Sequence, residues 1–80
     1  MMSAFVFIQL GGIGNWNDAR GVHDALHGVA GVKTVHFVAG PTDVVAYVEA
    51  GDQAGLMEAI GRMRAVRGVA STDTRIVMPL

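Results

Sequence analysis

The feature that most limits what this chain can fold into is a dipeptide used twice. Gly31-Val32 and Gly68-Val69 each close a stretch of helical spacing and open a stretch of strand character. Ahead of Gly31, apolar residues recur at Val22, Leu26 and Val29 between Asn17 and Val29, with Ala19 and Ala25 on or beside the same stripe. Ahead of Gly68 they recur at Leu56, Ile60, Met63 and Val66, behind Asp52 as a helix N-cap. The remaining segments read as strands. Ala4 to Leu10 is β-branched and aromatic, and Gly11-Gly12-Ile13-Gly14-Asn15 breaks it. Val32 to Val38, Val44 to Glu49 and Ser71 to Met78 follow, and Pro79 ends the last. Gly40-Pro41-Thr42-Asp43 makes a tight turn, because proline presets φ and aspartate bonds nearby backbone. Two βαβ units joined by a hairpin form the split βαβ pattern, and right-handed crossovers put both helices on one face of the sheet. The expected fold is α+β, ferredoxin-like βαββαβ, with a four-stranded antiparallel sheet and one domain over residues 1–80.

Alternation along the strands adds a constraint. Successive strand residues point to opposite faces. The first strand carries Phe5 and Phe7 on one face and Val6, Ile8 and Leu10 on the other; the third carries Val44, Ala46 and Val48 against Val45 and Tyr47. Two helices cover only one of these apolar faces, so a dimer through the other sheet face is expected. Composition agrees. Charged residues make up 16% of the chain against the usual fraction of about 25%, too little to coat a whole protomer. A chain of 80 residues buries only roughly 60–65% of its unfolded surface, and with no cysteine it has no disulfide or thiolate–zinc site to add stability. The net charge of −1 gives no electrostatic case for nucleic acid or an anionic membrane as partner. Met1 to Leu10 lacks the basic start of a signal peptide, and no run is long enough to span a bilayer, so a cytoplasmic location is expected.

Few residues offer chemistry. Gly12-Ile13-Gly14 resembles a dinucleotide fingerprint but lacks its third glycine and a parallel sheet. Trp16 reads as a packing residue or helix-entry anchor. His23 and His27 share a helix face, yet no further ligand completes a metal set, and a solvated face explains them. His36 is a lone histidine in a strand, readable as a general base, a haem ligand or an interface residue. No cysteine nucleophile, acidic dyad or Ser-His-Asp set is present, and no cofactor is called for. The polar turns say more. Gly40, Pro41, Thr42 and Asp43 gather a carboxylate, a hydroxyl and backbone N–H groups at one rim of the sheet, and Ser71, Thr72 and Thr74 add hydroxyls. Together they read as a site for a small zwitterion, with Asp43 toward an ammonium and N–H groups or hydroxyls toward a carboxylate.

This succession, with Gly40-Pro41-Thr42-Asp43 before Val44-Val45-Ala46-Tyr47-Val48-Glu49-Ala50 and Gly68-Val69-Ala70-Ser71-Thr72-Asp73-Thr74-Arg75-Ile76-Val77 at the end, resembles the effector-binding domain of Lrp/AsnC-type regulators. The likeness covers nearly the whole chain, without a DNA-binding helix-turn-helix, so it resembles the stand-alone form called a RAM domain. It implies dimers with facing sheets, rings of such dimers, amino-acid effectors held between dimers, and co-assembly with full-length regulators. It places the effector loop on Gly40 to Asp43, with Thr72 and Thr74 nearby. Pro41 and Thr42 stand where relatives often carry an acidic or polar residue and an aromatic one, so the effector is not named by the resemblance. The expected function is an oligomeric, amino-acid-binding regulatory domain. Two alternatives share the architecture: a dimeric α+β barrel enzyme of the monooxygenase or haem-handling type, and a structural oligomerisation partner with a vestigial pocket.

Overall fold

Strand β1 (Met2–Leu10) has hydrogen-bonded neighbours on both sides and carries no charged residue. Around it, a computed structural model describing residues 1–80 places α1 (Trp16–His27), β2 (Val32–Phe37), β3 (Val44–Ala50), α2 (Gln53–Arg64) and β4 (Val69–Ile76). The sheet order is β2-β3-β1-β4, with every pairing antiparallel. This is the ferredoxin-like βαββαβ arrangement expected from the two Gly-Val half-repeats.

The alternation in the strands divides the sheet as the residue pattern requires. Ala4, Val6 and Ile8 of β1 and Val44, Ala46 and Val48 of β3 are fully buried beneath the helices. From α1, Val22 and Leu26 meet them; from α2, Leu56, Ala59, Ile60 and Met63 do. Every buried residue is apolar, so no polar side chain has to be satisfied inside. Full burial of a residue such as Leu26 or Ile8 contributes about 1.5–3 kcal/mol each.

Both helices start where a side chain takes an orphan backbone donor. Asn15 Oδ1 accepts the Asp18 N–H at 2.9 Å, and Asp18 in turn accepts the Gly14 N–H at 3.1 Å. Asp52 Oδ1 accepts the Gly55 N–H at 2.8 Å. The Asn15 cap starts α1 at Trp16 rather than Asn17, and the helix ends at His27, short of Val29. Ala25, expected on or beside the core stripe, is exposed, because Ala19, Val22 and Leu26 define a narrower buried line. The two glycines of the half-repeats are required by close approach. Gly31 has φ 96° and Gly68 φ 101°. A Cβ on Gly31 would lie 2.7 Å from the Glu49 carbonyl oxygen, and one on Gly68 would lie 2.8 Å from a Val22 methyl.

The other sheet face carries Phe5 and Phe7 of β1 beside Val45 and Tyr47 of β3. The Phe5 and Tyr47 rings lie 5.2 Å apart, and the Arg75 guanidinium sits 4.8 Å over the Phe7 ring. Asp73 and Arg75 pair at 3.1 Å along one margin, Thr34 and His36 lie along the opposite one, and the Tyr47 hydroxyl donates to Glu49. No helix is long and apolar enough to cross a membrane.

Candidate functional site

The β2–β3 turn is fastened to the end of β1 by backbone and side chains together. The Val38 N–H donates to the Asp43 carbonyl at 2.9 Å, closing the turn, and the Asp43 N–H donates to the Ile8 carbonyl at 3.1 Å. The Asp43 carboxylate then accepts the Leu10 N–H through Oδ2 at 2.9 Å. From the other face of β1, the Gln9 side-chain amide donates to the Pro41 carbonyl. Gly40 takes φ 137° in open space, so the tip of the turn is bare backbone. Asp43 is half-buried, with one carboxylate oxygen bonded to β1 and no partner within the chain for Oδ1.

Beside this turn lies a groove of about 540 Å³. Leu10, Gly12 to Trp16, Ala19, Phe37, Val38 and Asp43 line it. Apolar walls with a single carboxylate and exposed backbone suit a small molecule carrying one cationic group and an apolar part.

Of the hydroxyls expected here, the structure brings only Ser71 to the same end and face as the Gln9 amide, since Ser71 pairs with Gln9 across β1. Thr72 pairs with Ile8 and Thr74 with Val6, which puts both on the helix side of the sheet, each half-buried. Gly40, Pro41, Thr42 and Asp43 are therefore together, Ser71 lies across β1 on the open face, Thr72 and Thr74 lie on the helix side, and none of these three hydroxyls lines the groove. Sequence reasoning missed Gln9, whose signal is a lone amide in an apolar strand, and the groove residues Trp16 and Phe37. Trp16, expected as a packing residue or helix-entry anchor, is the first residue of α1 and 74% exposed.

The remaining candidates have simpler roles. Gly12-Ile13-Gly14 leads into α1, where the Asp18 carboxylate already accepts the Gly14 N–H and Asn15 accepts the Asp18 N–H, so a negative charge of the chain itself stands where a phosphate would sit. His23 and His27 stack with centroids 6.0 Å apart, His23 bonds Asp24 at 3.1 Å, and no third ligand joins them. His36 is exposed on the open sheet face opposite Val45, with nothing to orient it as a base.

Residues 3–79 match the family model described as the Lrp/AsnC ligand binding domain. No curated protein matches the chain. Among solved structures, TTHA0845 from Thermus thermophilus is 28% identical with a TM-score of 0.85, over 100% of this chain and 96% of that one. AsnC from E. coli shares the fold at 19% identity and a TM-score of 0.83, where 99% of this chain spans 52% of that protein. The transcriptional regulator NMB0573 from Neisseria meningitidis, solved as an L-Met complex, is similar in fold at 13% identity and a TM-score of 0.84, over 98% of this chain and 50% of that one.

Proposed function

The chain belongs to the Lrp/AsnC ligand-binding-domain family, and we propose that it senses a free amino acid at the rim built from Gly40 to Asp43 and acts as an oligomeric regulatory module. The observation that carries this reading is the state of Asp43. Its carboxylate is held at the groove by the Leu10 N–H yet keeps one oxygen free. A fixed, half-occupied carboxylate beside apolar walls is what an ammonium group with an apolar side chain requires. The L-Met complex of NMB0573, which has the same fold, supports the ligand class. Ser71, Thr72 and Thr74 do not line the groove and have no part in this reading; the backbone of Gly40 and Thr42 at the adjoining turn supplies the polar contacts for a carboxylate.

Assembly follows from the open face. A centre of Phe5, Phe7, Val45 and Tyr47 with a polar margin has the anatomy of an interface, and a second copy of the sheet is its cover. The regulatory effect then runs through copies of this chain or through full-length regulators of the same family rather than through direct contact with DNA, given 6 Lys+Arg against 7 Asp+Glu. Catalysis has no support from the arrangement of side chains.

The test is a thermal-shift screen against the twenty amino acids, followed by titration calorimetry of the responsive one on Asp43→Asn. The amide keeps an acceptor for the Leu10 N–H, so the melting point should stay close to wild type. The lost charge on the ammonium contact should weaken binding by about ten- to a hundred-fold. Unchanged affinity in a folded variant removes Asp43 from the site, and the absence of any shift with all twenty removes the amino-acid reading.

A further inference from the structure

A second groove, about 460 Å³ in volume, runs between α1 and the outer edge of β2. It shares Trp16, Ala19 and Phe37 with the rim groove but not Asp43, and it adds Arg20, His23, Asp24, Val35 and His36. Three features set it apart from an ordinary surface furrow. Part of its lining is apolar and nearly buried, at Ala19 and Val35. Its rim is aromatic. Trp16 is 74% exposed and Phe37 37% exposed, with the Phe37 ring 6.3 Å from the His23 ring. An indole and a phenyl ring left uncovered around one cavity offer a stacking surface to a flat group. Its cation has no partner. Asp24 stands one helical turn beyond Arg20, where an ion pair is normally formed, but Asp24 is bonded to His23 at 3.1 Å and Arg20 takes part in none of the three ion pairs of the chain.

We infer that this groove binds a small aromatic monocarboxylate, its ring against Trp16 and Phe37 and its carboxylate on the Arg20 guanidinium. Trp16 and Arg20 are four residues apart on one helix, so both project over the same side of α1. A guanidinium grips a carboxylate through two parallel N–H bonds, which a lysine does not reproduce. The only carboxylate lining the groove, Asp24, already has Oδ1 on His23, whereas the Arg20 guanidinium has no partner, so the stronger open counter-charge is for an acid. The ligand is thus an aryl-alkanoic acid rather than an amino acid, and the inference stands apart from the rim site at Asp43.

Trp16 is the only tryptophan and lines both grooves, so its emission reports binding in either, and the Arg20 and Asp43 variants tell them apart. The purified protein is titrated with 3-phenylpropionate, 3-phenylpropan-1-ol, 2-phenylethylamine and L-phenylalanine. The acid should give a saturable blue shift with a dissociation constant on the order of 1 mM or tighter for a ligand of this size. The alcohol and the amine should bind at least about ten-fold more weakly. Arg20→Met, which keeps the apolar stem, should abolish the preference for acid over alcohol while Asp43→Asn leaves it intact, and Arg20→Lys should restore part of it. Equal response to acid and alcohol, or no saturable shift, overturns the inference. So does binding of L-phenylalanine alone that Asp43→Asn removes, because the groove would then be an extension of the rim site. Emission that starts blue-shifted and moves red on dilution would mean a second copy covers Trp16, which also overturns it.

Discussion

Replacing Phe5 with aspartate separates the fold of one protomer from its association with another. Phe5 lies on the open sheet face, 45% exposed, between Tyr47 on β3 and Arg75 on β4. In a lone protomer the new carboxylate would sit directly across from the Arg75 guanidinium, where opposite charges on paired strands are mildly favourable. The protomer should therefore tolerate Phe5→Asp with a stability change of no more than about 1 kcal/mol. In a face-to-face dimer the balance reverses. Since nearly half of Phe5 remains to be covered, its burial contributes about 1 kcal/mol, taken from the full value for a phenylalanine. Enclosing a polar or charged group in its place costs about 1–3 kcal/mol on the scale of protein mutations. Two-fold symmetry repeats the change, for a total of about 4–8 kcal/mol, or at least about a thousand-fold in dissociation constant. Light scattering after size-exclusion, run with circular dichroism, reads both quantities. Wild type should be dimeric or larger at micromolar concentration, and Phe5→Asp should be monomeric with a native far-ultraviolet spectrum. If the variant keeps the wild-type mass while remaining folded, or if wild type is already a stable monomer, the open face is not where copies meet.

Two further perturbations test the local architecture by chemical denaturation. Gly31→Ala places a methyl at φ 96° and 2.7 Å from the Glu49 carbonyl oxygen, and should cost more than about 2 kcal/mol, whereas Gly61→Ala, in a helix interior with open space at the Cβ position, should stabilise by about 0.5–1 kcal/mol. Asp52→Ala removes the acceptor for the Gly55 N–H and should cost about 1 kcal/mol, with Asp52→Asn largely neutral; an equal loss in both would mean that charge rather than capping holds that end of α2.

Much of the fold was legible because the chain punctuates itself. Gly31 and Gly68 are positions where only glycine fits, and each stands between a helical stripe and a strand, so the half-repeat could be read without knowing any contact. The turn at Gly40 to Asp43 was equally plain, because proline and aspartate flank a position with little alternative to turning. The face on which each β4 hydroxyl falls was not resolved at the level of the turn pattern, although alternation bears on it. Ser71 and Thr72 are consecutive, so a strand cannot aim both at one ligand, and pairing with Gln9 and Ile8 decides which goes where. Trp16, read as a packing residue or helix-entry anchor, does open α1 but is not packed away. Its exposure depends on the Asn15 cap, which starts the helix at Trp16 itself and leaves Ala19 as the first buried residue. Gln9 escaped notice because a single amide in an apolar strand has no pattern; its meaning arises only when Pro41, 32 residues away, is brought beside it.

The scarcity of charge seen in the composition becomes informative once each charge is located. Central strand β1 has none, and β3 contributes only Glu49, near its end. The sheet's other charges, Lys33, Asp73 and Arg75, belong to the edge strands β2 and β4. The helices and their flanks hold Asp18, Arg20, Asp24, Asp52, Glu58, Arg62, Arg64 and Arg67. A sheet face meant for water would carry charge at its centre, since that is the simplest way to keep an antiparallel sheet solvated on one side. Here the centre is Phe5, Phe7, Val45 and Tyr47, and the polar groups form a margin. The deficit is thus confined to one surface, while the helical side is charged as an ordinary exterior is. The same strand that offers this face also holds the β2–β3 turn, through the Ile8 carbonyl, the Leu10 N–H and the Gln9 amide. The turn that carries Asp43 is thus bonded directly to the strand whose side chains Phe5 and Phe7 lie at the centre of the uncovered face.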